Sequence, residues 1–185
     1  MKRIITFDEL KKYSNYKTAF ELADHLLKEA MESAHYANNV FLSHSSKDKD
    51  KLVDVISFLE SYGAEIYIDK NDEELPNITN YTTAKILKER IHSIPKFILF
   101  VTSNSKDSRW IPWELGLADG MEKYKNIAIL PASEYKYNTE WTEQEYLGLY
   151  QQIIWGKANN SDIEDWVVFN KFENKKVYLR EWLNG

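Results

Sequence analysis

The chain has 185 residues, one domain's length with room for an appendage, and its 43% hydrophobic and 14% aromatic content suffices for a packed core. A net charge of -5 without any basic run excludes the clustered positive footprint of a broad nucleic-acid interface. Cysteine is absent, which excludes disulfides, thiolate metal sites and a cysteine nucleophile and fits a reducing compartment. The longest apolar stretches are strand-length and the amino terminus has no signal-peptide core, so a soluble, cytoplasmic protein without membrane contact is expected.

Met1 to about Ala37 reads as a helical extension. Thr6 to Glu9 and Thr18 to Glu21 are capping boxes, in which a hydroxyl and a returning glutamate satisfy orphan helix donors. After the second box, Ala19, Phe20, Ala23, Leu26, Leu27, Ala30, Met31 and Ala34 fall at helical spacing. That apolar face predicts either docking on the main domain or an oligomer contact. From Asn39 the strand and helix patterns alternate, which predicts an α/β domain over 38–185, with its core at 39–130 and a less regular tail at 131–185.

Val40 to Ser43 is the first predicted strand, and Asp48 to Tyr62 a helix stopped by Gly63. Ala64 to Asp69 forms the second strand, Lys70 to Asn77 a polar loop, and a helix carrying Ala84, Ile86, Leu87 and Ile91 follows to Ser93. Lys96 to Val101 is the third strand, Ile111 to Tyr124 a helix, and Ile127 to Leu130 a fourth strand ended by Pro131. In the tail, Thr142 to Glu145 is a third capping box opening a short helix to Tyr150. Trp166 to Phe169 reads as a strand and Lys175 to Leu183 as a closing helix.

Two strand-to-helix turns carry the chemistry. Val40-Phe41-Leu42 runs into Ser43-His44-Ser45-Ser46-Lys47-Asp48, and Phe97 to Val101 leads through a polar turn into Ser108-Arg109-Trp110-Ile111-Pro112-Trp113-Glu114-Leu115. With the YGAEIYID second strand and the loop and helix that follow, these segments stand in order and resemble the Toll/interleukin receptor (TIR) domain family. The resemblance implies a flavodoxin-like parallel sheet of order 2-1-3-4-5 flanked by helices. It also implies a ligand crevice between the first and third strands, where the strand order reverses. Two departures stand out. The loop after the second strand reads Glu73-Glu74-Leu75-Pro76-Asn77 where members often carry proline-glycine, and Ile111 stands where many carry cysteine.

Enzymatic members of the family cleave NAD with a glutamate at this spacing from tryptophan, which makes Glu114 the candidate catalytic residue. The nicotinamide–ribose bond breaks through an oxocarbenium-like state, and the leaving group departs as a neutral pyridine, so no strong general acid is needed. A fixed carboxylate beside the sugar stabilises the developing charge. At the reference value of about 4.3 a glutamate is ionised at neutral pH unless burial raises it. Trp110, four residues earlier, shares a helical face with Glu114 and can pack on the nicotinamide or ribose. Trp113 is a second candidate wall. Ser43, His44, Ser45 and Ser46 offer hydroxyls and N–H groups for ribose or pyrophosphate, against the alternative of an ordinary helix cap by Ser45 or Ser46 with Asp48. Asp69 ends the second strand as a further candidate substrate contact or a turn former. No histidine has metal-ligand spacing, so no metal or cofactor is expected beyond NAD as substrate.

The resemblance thus implies an NAD nucleosidase giving ADP-ribose or a cyclic ADP-ribose-type signal. It resembles the sensor half of anti-phage defence systems such as Thoeris, with self-association through TIR surfaces and a separate effector protein activated by the product. Two other classes stay open: a non-enzymatic TIR adaptor, and a nucleoside deoxyribosyltransferase-like enzyme. The Trp110 and Glu114 pair separates the first reading from the adaptor, which usually lacks it.

Overall fold

The computed structural model describes residues 2–14, 39–68, 81–121 and 124–185. The second predicted capping box and amphipathic helix, the loop after the second strand, and Asp69 lie outside the described residues.

The strands are β1 (Ile5–Thr6), β2 (Val40–Ser43), β3 (Ile66–Tyr67), β4 (Lys96–Val101), β5 (Ile127–Ser133), β6 (Gln151–Lys157), β7 (Glu164–Asn170) and β8 (Lys175–Tyr178). The α-helices are α1 (Phe7–Lys11), α2 (Leu52–Ser61), α3 (Tyr81–Ser93), α4 (Ile111–Gly120) and α5 (Leu179–Asn184). The sheet order is β3-β2-β4-β5-β6-β7-β8, parallel from β3 to β6 and antiparallel beyond. Its first five strands reproduce the 2-1-3-4-5 order implied by the resemblance.

The central strands are apolar almost without interruption because both faces are covered. Alternate side chains go to opposite sides. Val40, Leu42, Ile98, Phe100, Ala128 and Leu130 meet α2 and α5 through Val55, Ile56, Phe58, Leu59, Leu179 and Trp182. Phe41, Phe97, Leu99, Val101, Ile127 and Ile129 meet α3 and α4 through Leu87, Ile91, Ile111, Leu115 and Ala118. Of the predicted apolar positions on α3, Leu87 and Ile91 are buried while Ile86 is exposed.

Several boundaries move, each for a local reason. The helical reading of Met1 to Ala37 is corrected at its start. Ile5–Thr6 is a parallel strand on Ala132 and Ser133, and Arg3 bridges Trp155 in the antiparallel sense. β1 thereby fills the gap where β5 and β6 part after the Ile129–Gln152 pair. The Thr6 box then forms as predicted and opens α1, with Glu9 N donating to Thr6 Oγ1 at 3.1 Å and Thr6 N to Glu9 Oε2 at 3.1 Å.

The helix expected from Asp48 begins as a 3-10 turn over Ser46–Lys51 and becomes α-helical at Leu52. Gly63 stops it at φ +96, where a Cβ would be strained. Among the described residues β3 is shorter than predicted and pairs with β2 alone, as suits an edge strand. β5 runs through Pro131 to Ser133. The missing N–H falls where pairing with β4 ends, at Val101–Pro131, and pairing with β1 begins, at Ala132.

In the tail Thr142, expected to open a helix, falls inside a 3-10 turn instead. Gln144 is extended without a side-chain cap and separates two 3-10 turns, Glu140–Glu143 and Glu145–Leu149. β6 was not foreseen, and Lys175 to Tyr178 is a strand rather than the start of the closing helix. Among the described residues no helix is long and apolar enough to cross a membrane.

Candidate active site

β2 and β4 are neighbours whose connections leave in opposite directions across the sheet, which creates a crevice at their carboxyl ends. Ser43 ends β2 opposite Leu99 of β4. Beyond β4, a polar turn leads into α4, with Ser108 Oγ accepting from Ile111 N at 3.3 Å and Pro112 set in the first turn. Proline is accommodated there because first-turn N–H groups have no intrahelical acceptor. Glu114 lies in that same turn, its N–H donating to Trp110 O at 2.9 Å, where the helix dipole favours an anion.

The two strand ends meet through these side chains. Ser43 Oγ donates to Glu114 Oε2 at 2.5 Å, with both residues buried at 2% and 7% exposure. That length is characteristic of a hydroxyl held by a carboxylate. The hydroxyl fixes the carboxylate's position across 71 residues of sequence. Trp110 and Trp113 stand edge to face at 5.2 Å, both half-buried against the core cluster of α3 and α4. They form an aromatic shoulder on the helix that carries Glu114.

His44 and Ser45 are also buried. Burial, with a smaller contribution from the Lys49 ammonium, lowers the His44 pKa to about 4 against a raising hydrogen bond to the Leu42 backbone. The imidazole is therefore neutral at physiological pH. Ser45 caps the 3-10 turn, accepting from Lys47 N at 3.4 Å and donating to Asn104 O at 3.5 Å. The cap that sequence reasoning held as an alternative for Ser45 is thus formed. Asp69 lies outside the described residues.

A polar group that the sequence analysis read only as part of a cap turns inward. Asp48, wholly buried, accepts from Thr102 Oγ1 and Asn104 Nδ2, each at 2.7 Å. Its sequence signal was the acid closing the Ser-Lys-Asp turn, which suited a cap equally well. Two adjoining cavities of about 250 and 200 Å³ open one strand further along, sharing Ser103, Glu140 and Trp141, and neither is lined by Glu114. The short Ser43–Glu114 contact lies apart from these two cavities. Among the described residues no cluster of three His, Asp or Glu is arranged to hold a metal ion.

A five-strand parallel order with a carboxylate tethered across its switch point defines a flavodoxin-like α/β domain with a candidate site at its crevice. The chain belongs to the TIR domain family, which it matches over residues 40–166. It is 35% identical over 148 residues to the probable 3' cyclic ADP-D-ribose synthase ThsB' of Bacillus cereus (strain MSX-D12), covering 78% of this chain and 75% of that protein. It is also 28% identical over 112 residues to a Cytobacillus dafuensis protein that carries the name of a cyclic ADP-D-ribose synthase. That match covers 57% of this chain and 30% of the relative.

Proposed function

We propose that this protein cleaves the nicotinamide–ribose bond of NAD+ and forms a cyclic ADP-ribose-type product or ADP-ribose, as a signal in bacterial anti-phage defence. The observation that carries the reading is the buried Ser43–Glu114 pair at the β2/β4 crevice. As the C–N bond breaks, its electron pair goes to the nicotinamide nitrogen and positive charge develops on the ribose. A carboxylate already fixed in place stabilises that charge without reorganising at the moment of reaction. The half-buried Trp110 and Trp113 supply apolar surface that strengthens the interaction by excluding water. Ring closure requires an internal nucleophile of the same nucleotide to reach the sugar before water does. The names of both relatives favour that outcome over simple hydrolysis.

NAD+ is the substrate, and the reaction as written needs no cofactor or metal. Self-association through TIR surfaces completes the site in this reading, in the cytoplasm, and the product acts on a separate effector protein. Incubating the purified protein with NAD+ and, separately, with deoxynucleosides tests the assignment. Release of nicotinamide together with a cyclic nucleotide supports it. Base exchange on deoxynucleosides would transfer the chain to the deoxyribosyltransferase class, and inertness to both at every protein concentration would favour an adaptor.

A further inference from the structure

The fully buried carboxylate of Asp48 has no direct place in the chemistry above. Thr102 Oγ1 donates to its Oδ2 and Asn104 Nδ2 to its Oδ1, both at 2.7 Å, and Lys51 Nζ stands 3.8 Å from Oδ1. The donor side is itself braced. Asn104 N donates to Thr102 Oγ1 at 3.0 Å and Thr102 N to Ser105 Oγ at 3.0 Å, while Ser45 Oγ reaches Asn104 O at 3.5 Å. Asp48 therefore joins the turn after β2 to the turn after β4. Ser43 begins the first turn, and the second leads into the helix carrying Glu114.

Burying a carboxylate is costly unless directional partners satisfy it, and apolar residues of similar volume would hold two turns together without that cost. What directional bonds add is a fixed separation. We propose that Asp48 is a positioning residue for the reaction: its bridge sets the width of the crevice across which Ser43 and Glu114 meet. The inference rests on the NAD-cleavage reading for its catalytic consequence, whereas the bridge itself can be tested without it. Misplacing a catalytic group by about 1 Å can cost on the order of 10²-fold in rate.

The test compares Asp48→Ala, Asp48→Asn and the parent in two readouts. The first is backbone hydrogen exchange over 43–48 and 102–114. Asp48→Ala should speed exchange in both segments together, while Asp48→Asn, which can still bridge Asn104 and Thr102 through its amide, should leave both near the parent. The second is NAD+ turnover, measured well below each variant's melting midpoint. Asp48→Ala should lower kcat by about tenfold to a hundredfold with KM changed far less, and Asp48→Asn should return kcat to within a few-fold of the parent.

Exchange that rises only around Asp48, or a folded Asp48→Ala protein with the parent's kcat, would overturn the proposal. So would an Asp48→Asn protein that melts like the parent but is as slow as Asp48→Ala, because charge rather than the bridge would then matter. If the parent itself leaves NAD+ intact, the catalytic reading fails separately, and the paired exchange response still decides whether the bridge exists.

Discussion

At the residue scale, His44 shows how the crevice wall fixes a protonation state. Its folded-state pKa of about 4 lies below the ordinary value of 6.5, mainly because the ring is buried. The unfolded chain therefore takes up a proton as pH falls through 6.5, while the folded chain resists until about 4. Stability from this group is fully present above pH 6.5 and is lost progressively down to pH 4. Between pH 7 and 5 the loss amounts to about 2 kcal/mol. Urea unfolding at the two pH values should show that difference in the parent and its absence in His44→Gln. Equal losses in the two proteins would mean that His44 is not the group responsible. A neutral imidazole at working pH also sits well with chemistry that requires no general base.

At the element scale, the sequence announced those structures whose signals are local. The apolar runs of β2 and β4 gave both strands at their observed bounds, because strands covered on both faces are apolar throughout. Gly63 marked the end of α2 because its left-handed backbone suits glycine. Signals that depend on distant partners were not legible. β1 exists because β5 and β6 diverge, and β6 opens with Gln151 and Gln152, whose polarity hides a buried strand. Gln151 Nε2 donates to Lys125 O at 2.8 Å and Gln152 Oε1 accepts from Lys2 Nζ at 2.6 Å, so tertiary bonds satisfy both. In the site, the family resemblance made Glu114 a candidate, while its bond to Ser43 across 71 residues had no local signal. The inward turn of Asp48 depended on Thr102 and Asn104, more than fifty residues away. The Thr6 box is a local signal that held, and it predicts a modest effect. Thr6→Ala should cost about 1 kcal/mol, read as a melting midpoint lowered by roughly 2–4 °C for a chain of this size. An unchanged midpoint would show that β1, rather than the cap, fixes the start of α1.

At the scale of the whole molecule, the sheet and the candidate carboxylate of Glu114 play separate parts. The parallel half builds the switch-point crevice. The antiparallel β6-β7-β8 extension and α5 return the chain to the opposite face, where Trp182 packs in the core and donates from Nε1 to Lys125 O at 3.2 Å. In the proposed function, self-association completes the site. Specific activity towards NAD+ should therefore rise with protein concentration as the active assembly fills by mass action. A dilution series with activity and light scattering measured on the same samples checks this. Flat specific activity in a protein that is monomeric throughout would show that one chain builds the whole site.

The central claim is that the carboxylate tethered by Ser43 stabilises charge on the ribose as nicotinamide leaves. Replacing Glu114 by glutamine keeps its size and a hydrogen-bonding partner for Ser43 while removing the charge. The most direct measurement is NAD+ turnover by Glu114→Gln and the parent at equal, high concentration, with melting curves for both. The account predicts matching melts and a rate lowered by at least about 10²-fold in the variant. A folded Glu114→Gln protein that cleaves NAD+ at the parent rate would contradict it.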